Sequence, residues 1–548
     1  MREIDALSTE RHNIPSLELM ENAGLATARL VEELIGGAPG KRILLLCGKG
    51  NNGGDGAVTA RLLANNGAMV QVILFGLVET TKGDARINFE KLKSWNDERA
   101  IREQRSTPED LKPIDFFSCD SEKAWAQLSA TVLSGPHDAI VDALFGTGLT
   151  RPVAGLELEA IRYLLSVRQN GDARPKIISI DIPSGLNSES PQAVSEAVMA
   201  DATVTMTAPK PANVLPPAAH HNGRLIVADI GSPASLIEAA NSNLFLTEDT
   251  DARRWLVQTR YTPDSYKNAH GHVLVVGGSR GFTGAAALCA NAAMRAGAGL
   301  VTVATSASAQ PLVAAQVMPE VMTTSLAETD RGTVSDEAVD YFLKFSDRAT
   351  AVAIGPGLSA EDDRTRAFVR SVVEQRTTPI VIDADGLNCL SPWPAALRGS
   401  DELPIVLTPH PGEMRRLWGA KSEDASADRV ATARDFATRH HIILLLKGGR
   451  SLIAAPDGRV FLNSTGNAGL GTAGAGDTLT GVVASFIAQA KGMEIDALES
   501  VIAALYIGGL AGDLAARELG MRAMVASDIR EQLSTAIRSL DPEGERPV

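Results

Sequence analysis

The sequence predicts an α/β protein built from two three-layer αβα domains. Three observations lead there. At 548 residues the chain is too long for one hydrophobic core. Short segments, apolar at nearly every position, alternate with amphipathic stretches, which is how strands buried on both faces of a parallel sheet read. Aromatic residues are scarce, at 4%, while glycine is abundant at 49 residues, and small residues suit helices packed closely over such a sheet.

The elements follow in order. Residues 16–35 place Leu17, Met20, Gly24, Ala28, Val31 and Leu34 near one face of a helix. Strands are predicted at 43–47, 70–75, 139–144, 177–182, 203–207 and 225–230. The charged, poorly patterned stretch 79–124 reads as helical. A polar gap at 232–243 marks the boundary, giving domains over 1–235 and 244–540. A second series of strands then runs through 273–276, 300–304, 351–354, 380–382, 405–407 and 442–446. In sheets of this kind functional residues gather in loops at the strand carboxyl ends. Those loops in the first half, 48–56, 145–152 and 183–187, are its unusual parts.

Composition excludes some roles. With 44% hydrophobic and 22% charged residues the chain is ordinary for a soluble protein. A formal charge of −14 argues against nucleic-acid or membrane binding, which need basic surfaces. A local basic pocket for phosphate is compatible with it. Cys47, Cys119, Cys289 and Cys389 are far apart, with no CxxC pair, so buried free thiols are expected. The N-terminus has no signal-peptide core, and no apolar run approaches the ~18 residues of a membrane span. A cytoplasmic protein is expected.

The most informative stretch is NAGLGTAGAGDTLTG at 467–481. Small residues let backbone N–H groups converge at a helix N-terminus, a natural phosphate site. Asp477 falls in the first helical turn, where a carboxylate suits deprotonation of a hydroxyl for phosphoryl transfer. The plain alternative is a Gly-rich turn with a capping aspartate. Further features follow predicted strands and would meet on one sheet edge: GGS at 277–279 with TGAA at 283–286, GPGL at 355–358, Asp383 and Asp385, TPHPGE at 408–413, and KGGR at 447–450.

With GHVLVVGGSRGFTGAA, IGPGL, VIDADGLN, TPHPGEMRRL and LLKGGRS, this half resembles the nucleotide-dependent dehydratases that repair hydrated nicotinamide nucleotides, a ribokinase-like family. The match spans about 245–535. The resemblance implies ADP- or ATP-dependent dehydration of (S)-NAD(P)H hydrate, with ADP the bacterial-type choice and Mg2+ accompanying the nucleotide. It implies that Ala285, Gly357, His410 and Asp477 contact the hydrate. It gives Lys447, Gly448, Gly449, Arg450, Ser451 and Gly476 to the nucleotide, and makes Asp477 catalytic.

In the first half GKGNNGGDG follows a strand and opens a helix, as a Rossmann phosphate loop does, but with two asparagines and an aspartate in the turn. Such oxygens imply a cation or a hydroxylated ligand. DALFGTG at 142–148 and DIPSG at 181–185 each set an aspartate at a strand end. If these strands are neighbours, Asn52, Asp142 and Ser184 could share a cation, and their oxygens suit a monovalent ion better than zinc. Capping is the plain role for each aspartate alone. With MENAG at 20–24 and TAPK at 207–210, these motifs resemble the epimerase partner of the same repair system over about 1–230, a Rossmann-like domain. The resemblance implies hydrate binding by Asn51, Asn52, Gly53, Gly54, Asp55, Gly146, Thr147, Gly148, Leu149, Thr150, Arg151, Pro152 and Asp181. It implies potassium on Asn52, Asp142 and Ser184; Asp181 is the acid/base candidate. Lys210 is the main basic residue near that site, as a substrate contact or a solvated loop lysine.

The leading reading is a fused epimerase and dehydratase acting on small-molecule hydrates with ADP or ATP, expected as a homo-oligomer. The alternative is a kinase of a small hydroxylated metabolite with an N-terminal nucleotide-binding regulatory module. A third is a non-enzymatic binding role for the first half.

Overall fold

The computed structural model describes residues 2–103, 113–169, 171, 174–240, 242–419 and 428–543. The chain divides into two compact units, Met1–Asn241 and Ser242–Val548. The polar stretch at the division carries one short helix, Ala234–Glu238.

The first unit holds an all-parallel sheet of β1 (Arg42–Cys47), β2 (Met69–Leu74), β3 (Ile114–Ser118), β4 (Ala139–Ala143), β5 (Lys176–Ile180), β6 (Ala202–Met206) and β7 (Arg224–Ala228). Their order is β3-β2-β1-β4-β5-β6-β7. The order reverses between β1 and β4, which pair in parallel. The loops leaving these two strands therefore flank the crevice where ligands bind in open α/β sheets. The apolar character of β1 and β4 is explained by burial on both faces. β3 corrects the sequence reading, which made 79–124 helical. Helix Gly83–Glu103 is there, but Ile114–Ser118 is an edge strand with only Ile114 fully buried, so it carries no apolar run. Part of that stretch, 104–112, lies outside the described residues.

The second unit holds β8 (Leu244–Leu246), β9 (His272–Val276), β10 (Leu300–Ser306), β11 (Met322–Leu326), β12 (Ala351–Ile354), β13 (Ile380–Ile382), β14 (Ile405–Leu407), β15 (Ile443–Leu446), β16 (Leu452–Ala454) and β17 (Val460–Leu462). The order is β11-β10-β9-β12-β13-β14-β15-β16-β17-β8. β16 runs antiparallel to both of its neighbours, β15 and β17, and all other pairs are parallel. The switch point falls between β9 and β12. Both units are thus parallel-sheet α/β structures, as the segment pattern predicts. Strands β8, β11, β16 and β17 were not anticipated: they are three to five residues long, and β8 and β11 are only partly buried.

Helix Ala475–Gly492 carries the Asp477 motif at its start and is otherwise buried from Thr480 to Ala490. Trp255 stacks on its Phe486 at 3.8 Å between ring centroids. Helix Ala497–Leu519 revises another expectation. Among the described residues it is long and apolar enough to cross a membrane, with mean hydropathy 1.4, yet 61% of its apolar window is buried within the unit as core. The charges of Glu499 and Asp513 had hidden this run. All four cysteines are buried and free.

Candidate active sites

In the second unit, β13, β14 and β15 end side by side, so the residues after them converge. Asp383 follows β13 and is 1% exposed. Its Oδ1 accepts from Lys447 Nζ at 2.8 Å and its Oδ2 from Thr480 Oγ1 at 2.7 Å. One carboxylate thus ties the end of β15 to the first turns of helix Ala475–Gly492. A Cβ on Gly476 would lie 3.2 Å from Lys447 Nζ, which places the ammonium against the amino end of that helix. Among the described residues the amides of Gly476 and Asp477 have no acceptor. Free N–H groups beside a cation form an anion cradle.

Asp477 is half-buried beside that cradle. Loss of solvent and the charge of Asp383 push its carboxyl up to about 7, against the pull of Lys447. Lys447 is held above its ordinary value: burial opposes its charge, but Asp383 and Glu413 outweigh that cost. His410 caps helix Pro411–Trp418. Its Nδ1 accepts from the amides of Gly412 at 2.9 Å and Glu413 at 3.4 Å, while Glu413 Oε2 accepts from the His410 amide at 2.8 Å. Burial and the nearby Lys447 and Arg416 charges lower the imidazole. It is neutral near pH 7, with Nδ1 as acceptor and the proton assigned to Nε2. Lys447 to Ser451 form the tight connection between β15 and β16. There Arg429 Nη1 donates to the Gly449 carbonyl at 2.9 Å, and Ser451 Oγ accepts from the Gly448 amide at 3.3 Å. Gly357 stands where a Cβ would meet the Phe282 carbonyl at 2.4 Å and Ala285 Cβ at 3.1 Å.

Asp383 is among the strand-end features expected on this edge, whereas Thr480 has no role in the sequence reading. What the sequence lacked was the pairing of β13 with the helix after β17. An Asp383→Asn variant should lower the Asp477 carboxyl by removing a neighbouring negative charge. The acid limb of this unit's pH–rate profile should then move to lower pH. An unmoved limb would detach Asp383 from Asp477.

In the first unit the loops after β1, β4 and β5 meet at the switch point. A Cβ on Gly53 would come within 1.9 Å of the Gly48 carbonyl, and one on Gly48 within 2.0 Å of the Leu144 carbonyl. Only glycine permits this threading. Asp142 is fully buried. Its Oδ1 accepts from Ser184 Oγ at 2.6 Å and the Leu144 amide at 3.3 Å; its Oδ2 accepts from Ser179 Oγ at 2.8 Å and the Ser184 amide at 2.9 Å. Burial raises its carboxyl despite these donors. Asn52 is 9% exposed, and both its carboxamide atoms lack a partner among the described residues. A buried carboxamide without partners is built for a ligand.

Asp181 follows β5 with φ of 69°, a left-handed backbone uncommon for a residue other than glycine. Its Oδ2 accepts from the Thr147 amide at 3.1 Å. Its Oδ1 accepts from Lys210 Nζ at 2.6 Å. A Cβ on Gly146 would lie 2.9 Å from Asp181 Oδ2 and 3.2 Å from Asn52 Oδ1, so these groups flank one bare stretch of backbone. Lys210 is 6% exposed and also donates to Thr205 Oγ1 at 2.8 Å and the Met206 carbonyl at 3.0 Å. It is no solvated loop lysine. Asp55 faces the same group: desolvation pushes its carboxyl well above the usual range, and Asp181 and Asp5 push it further. Burial likewise raises Asp5, which lies on helix Arg2–His12 and has an unpartnered Oδ1. No sequence signal marked Asp5, since that helix is polar and carries no motif. Asp181 pairs directly with the Lys210 ammonium, whose charge also acts on Asp55 and Asp5.

Comparison with known proteins gives the following. The family described as NAD(P)H-hydrate dehydratase matches residues 273–535, and that described as YjeF-related protein N-terminus matches 16–212. A bifunctional NAD(P)H-hydrate repair enzyme Nnr of Moorella thermoacetica is 40% identical, over 100% of this chain and 97% of that protein. The protein of the same name in Salinibacter ruber is 36% identical over 100% and 96%. Among solved structures, an ADP/ATP-dependent NAD(P)H-hydrate dehydratase from Bacillus subtilis, co-crystallised with ATP and Mg2+, is 28% identical. It covers 55% of this chain and 100% of its own, with a TM-score of 0.46.

Proposed function

The chain belongs to the bifunctional NAD(P)H-hydrate repair enzymes, and from that membership we propose how its two sites divide the work. The first unit interconverts the (R)- and (S)-hydrates, and the second dehydrates the (S)-hydrate at the expense of ADP or ATP. The observation that carries the second assignment is the Asp477 carboxyl, held at about 7 beside Lys447 and the free amides of a helix N-terminus. A base poised near neutral pH next to an anion cradle fits deprotonation of an alcohol that attacks phosphorus.

The hydrate carries a hydroxyl on its reduced nicotinamide ring, and hydroxide leaves poorly. Asp477 takes the hydroxyl proton as the oxygen bonds to the terminal phosphorus, and the bond from that phosphorus to the rest of the nucleotide breaks. The ring nitrogen lone pair then expels phosphate, and the neighbouring ring carbon loses a proton to restore the double bond. The amides of Gly476 and Asp477 and the Lys447 ammonium meet the phosphoryl charge. Ala285, Gly357 and His410 face the hydrate, while Lys447 to Ser451 and Gly476 face the nucleotide. Among the described residues no three His, Cys, Asp or Glu side chains converge on a metal position. Mg2+ would therefore ride on the nucleotide phosphates, where it would neutralise charge.

In the first unit Asp181 is the acid/base group, with Lys210 holding one of its oxygens and the other turned toward Gly146. Residues 51–55 and 146–152 line the hydrate. A potassium ion fits in part: Asn52 Oδ1 is orphaned and offers an oxygen ligand, whereas Asp142 already accepts four hydrogen bonds and would need the Ser184 hydroxyl to turn. The ion would supply positive charge at the loop junction.

The test is an absorbance assay on mixed hydrate epimers with ADP, ATP or neither. Complete recovery of reduced nicotinamide with a nucleotide, one phosphate released per turnover and no stable phosphorylated product are expected. No recovery with either nucleotide overturns the dehydratase reading. Recovery that stops once the (S)-epimer is spent overturns the epimerase reading.

A further inference from the structure

Resting on the dehydratase reading above, we propose that Arg366 and Arg416 bind the pyrophosphate bridge of the hydrated dinucleotide, in a cleft beyond His410 from the nucleotide loop. The cleft measures about 680 Å³ and is lined by Phe282, Ser359, Arg366, Asp385, Asn388 and Arg416 among others. It opens at the carboxyl ends of β12 and β13, where Ser359 and Asp385 lie, whereas the nucleotide loop follows β15.

Position joins the cleft to the reacting end. A Cβ on Gly412 would lie 2.7 Å from His410 Cε1 and 3.9 Å from Arg416 Nη1, so the guanidinium stands close to the imidazole. Gly357 abuts the Phe282 carbonyl. The cleft therefore begins where His410 and Gly357 face the hydrate ring, and runs on from it.

Charge fits an anion. Arg366, on helix Asp363–Glu374, gives Nη1 to the Asn388 carbonyl at 3.0 Å; Arg416, on helix Pro411–Trp418, gives Nε to Asn388 Oδ1 at 3.0 Å. One asparagine thus aims two guanidinium groups from different helices into one space. Neither has a carboxylate partner among the described residues. Asp385 is already committed, its Oδ2 to the Ser359 amide at 2.9 Å and its Oδ1 to Asn388 Nδ2 at 3.2 Å. Glu361 stays on the exposed rim. Planar guanidinium forks with spare N–H groups match phosphate oxygens. Phe282, 61% exposed, gives a flat apolar face for the ring beyond.

The test compares Arg366→Gln and Arg416→Gln on hydrates of NADH, NADPH and the truncated reduced nicotinamide mononucleotide, which lacks the bridge. For both dinucleotides KM should rise about ten- to a hundredfold in each variant, since a charge-assisted contact is lost. The KM for ADP should hold, kcat should stay within about twofold, and the mononucleotide KM should not follow. Equal losses on the mononucleotide, or no loss anywhere, overturn the proposal. A loss confined to the NADPH hydrate also overturns it and gives the arginines to the ribose 2′-phosphate. The two variants sit on different helices, so misfolding of one, read from its thermal midpoint, leaves the other to decide. Silent arginine variants alongside an inactive Asp477→Asn would remove this inference alone; an active Asp477→Asn would remove the reading it rests on.

Discussion

Asp477→Asn should lower the rate of (S)-hydrate dehydration by about 10²–10⁴-fold, the usual contribution of a positioned general base. Nucleotide affinity should survive, because the Gly476 and Asp477 amides and Lys447 remain. The native enzyme should show why. Its carboxyl sits at about 7, raised by desolvation and by Asp383. Only the ionised form accepts a proton, so the rate should climb roughly tenfold per pH unit below about 7 and level off above it. The asparagine variant should keep a low rate without that limb. Rapid-mixing measurements of reduced-nicotinamide absorbance between pH 5.5 and 8.5 check both. An unchanged limb in the variant would assign the titration to another group, with His410 first in line.

Lys210→Met should slow epimerisation severely and weaken the first unit. The lysine is the cation among Asp181, Asp55 and Asp5, and its partner Asp181 is almost fully buried. Removing one member of a buried pair leaves the other uncompensated, at a cost of about 3–5 kcal/mol. Asp181 also loses the contact that fixes one of its oxygens in place. Interconversion of pure epimers without nucleotide, followed chromatographically, should fall by about 10²–10⁴-fold. Dehydration of pure (S)-hydrate should persist, since the second unit has its own core and site. Epimerisation at the native rate in this variant would show that the ion pair serves stability alone. An equal loss of both activities would show that the two units do not fold independently.

Much of this was legible in the residues. Strands buried on both faces, such as β1 and β12, carry unbroken apolar runs, and glycine-rich loops follow them. Strand β3 was not legible, because an edge strand with one buried residue looks like any mixed segment. The same holds for β8 and β11. At the sites, Asp477 announced itself through its loop, and Asp181 through DIPSG. Their partners did not. Asp383 reaches Thr480 across 97 positions of sequence, and Asp5 joins Asp55 through a helix with no pattern of its own. Local spacing records which residues share a turn; it does not record which strand ends lie side by side.

The threading of Gly48, Gly53 and Leu144 has an evolutionary consequence. With backbone pressed on backbone at that junction, no single substitution can enlarge the floor of the first pocket without moving a main chain. Adaptive room lies instead in exposed side chains of the 147–152 loop, Thr150 and Arg151. Variant libraries aimed at bulkier or differently charged substrates should find their gains there, and should recover glycine at 48 and 53 in every survivor.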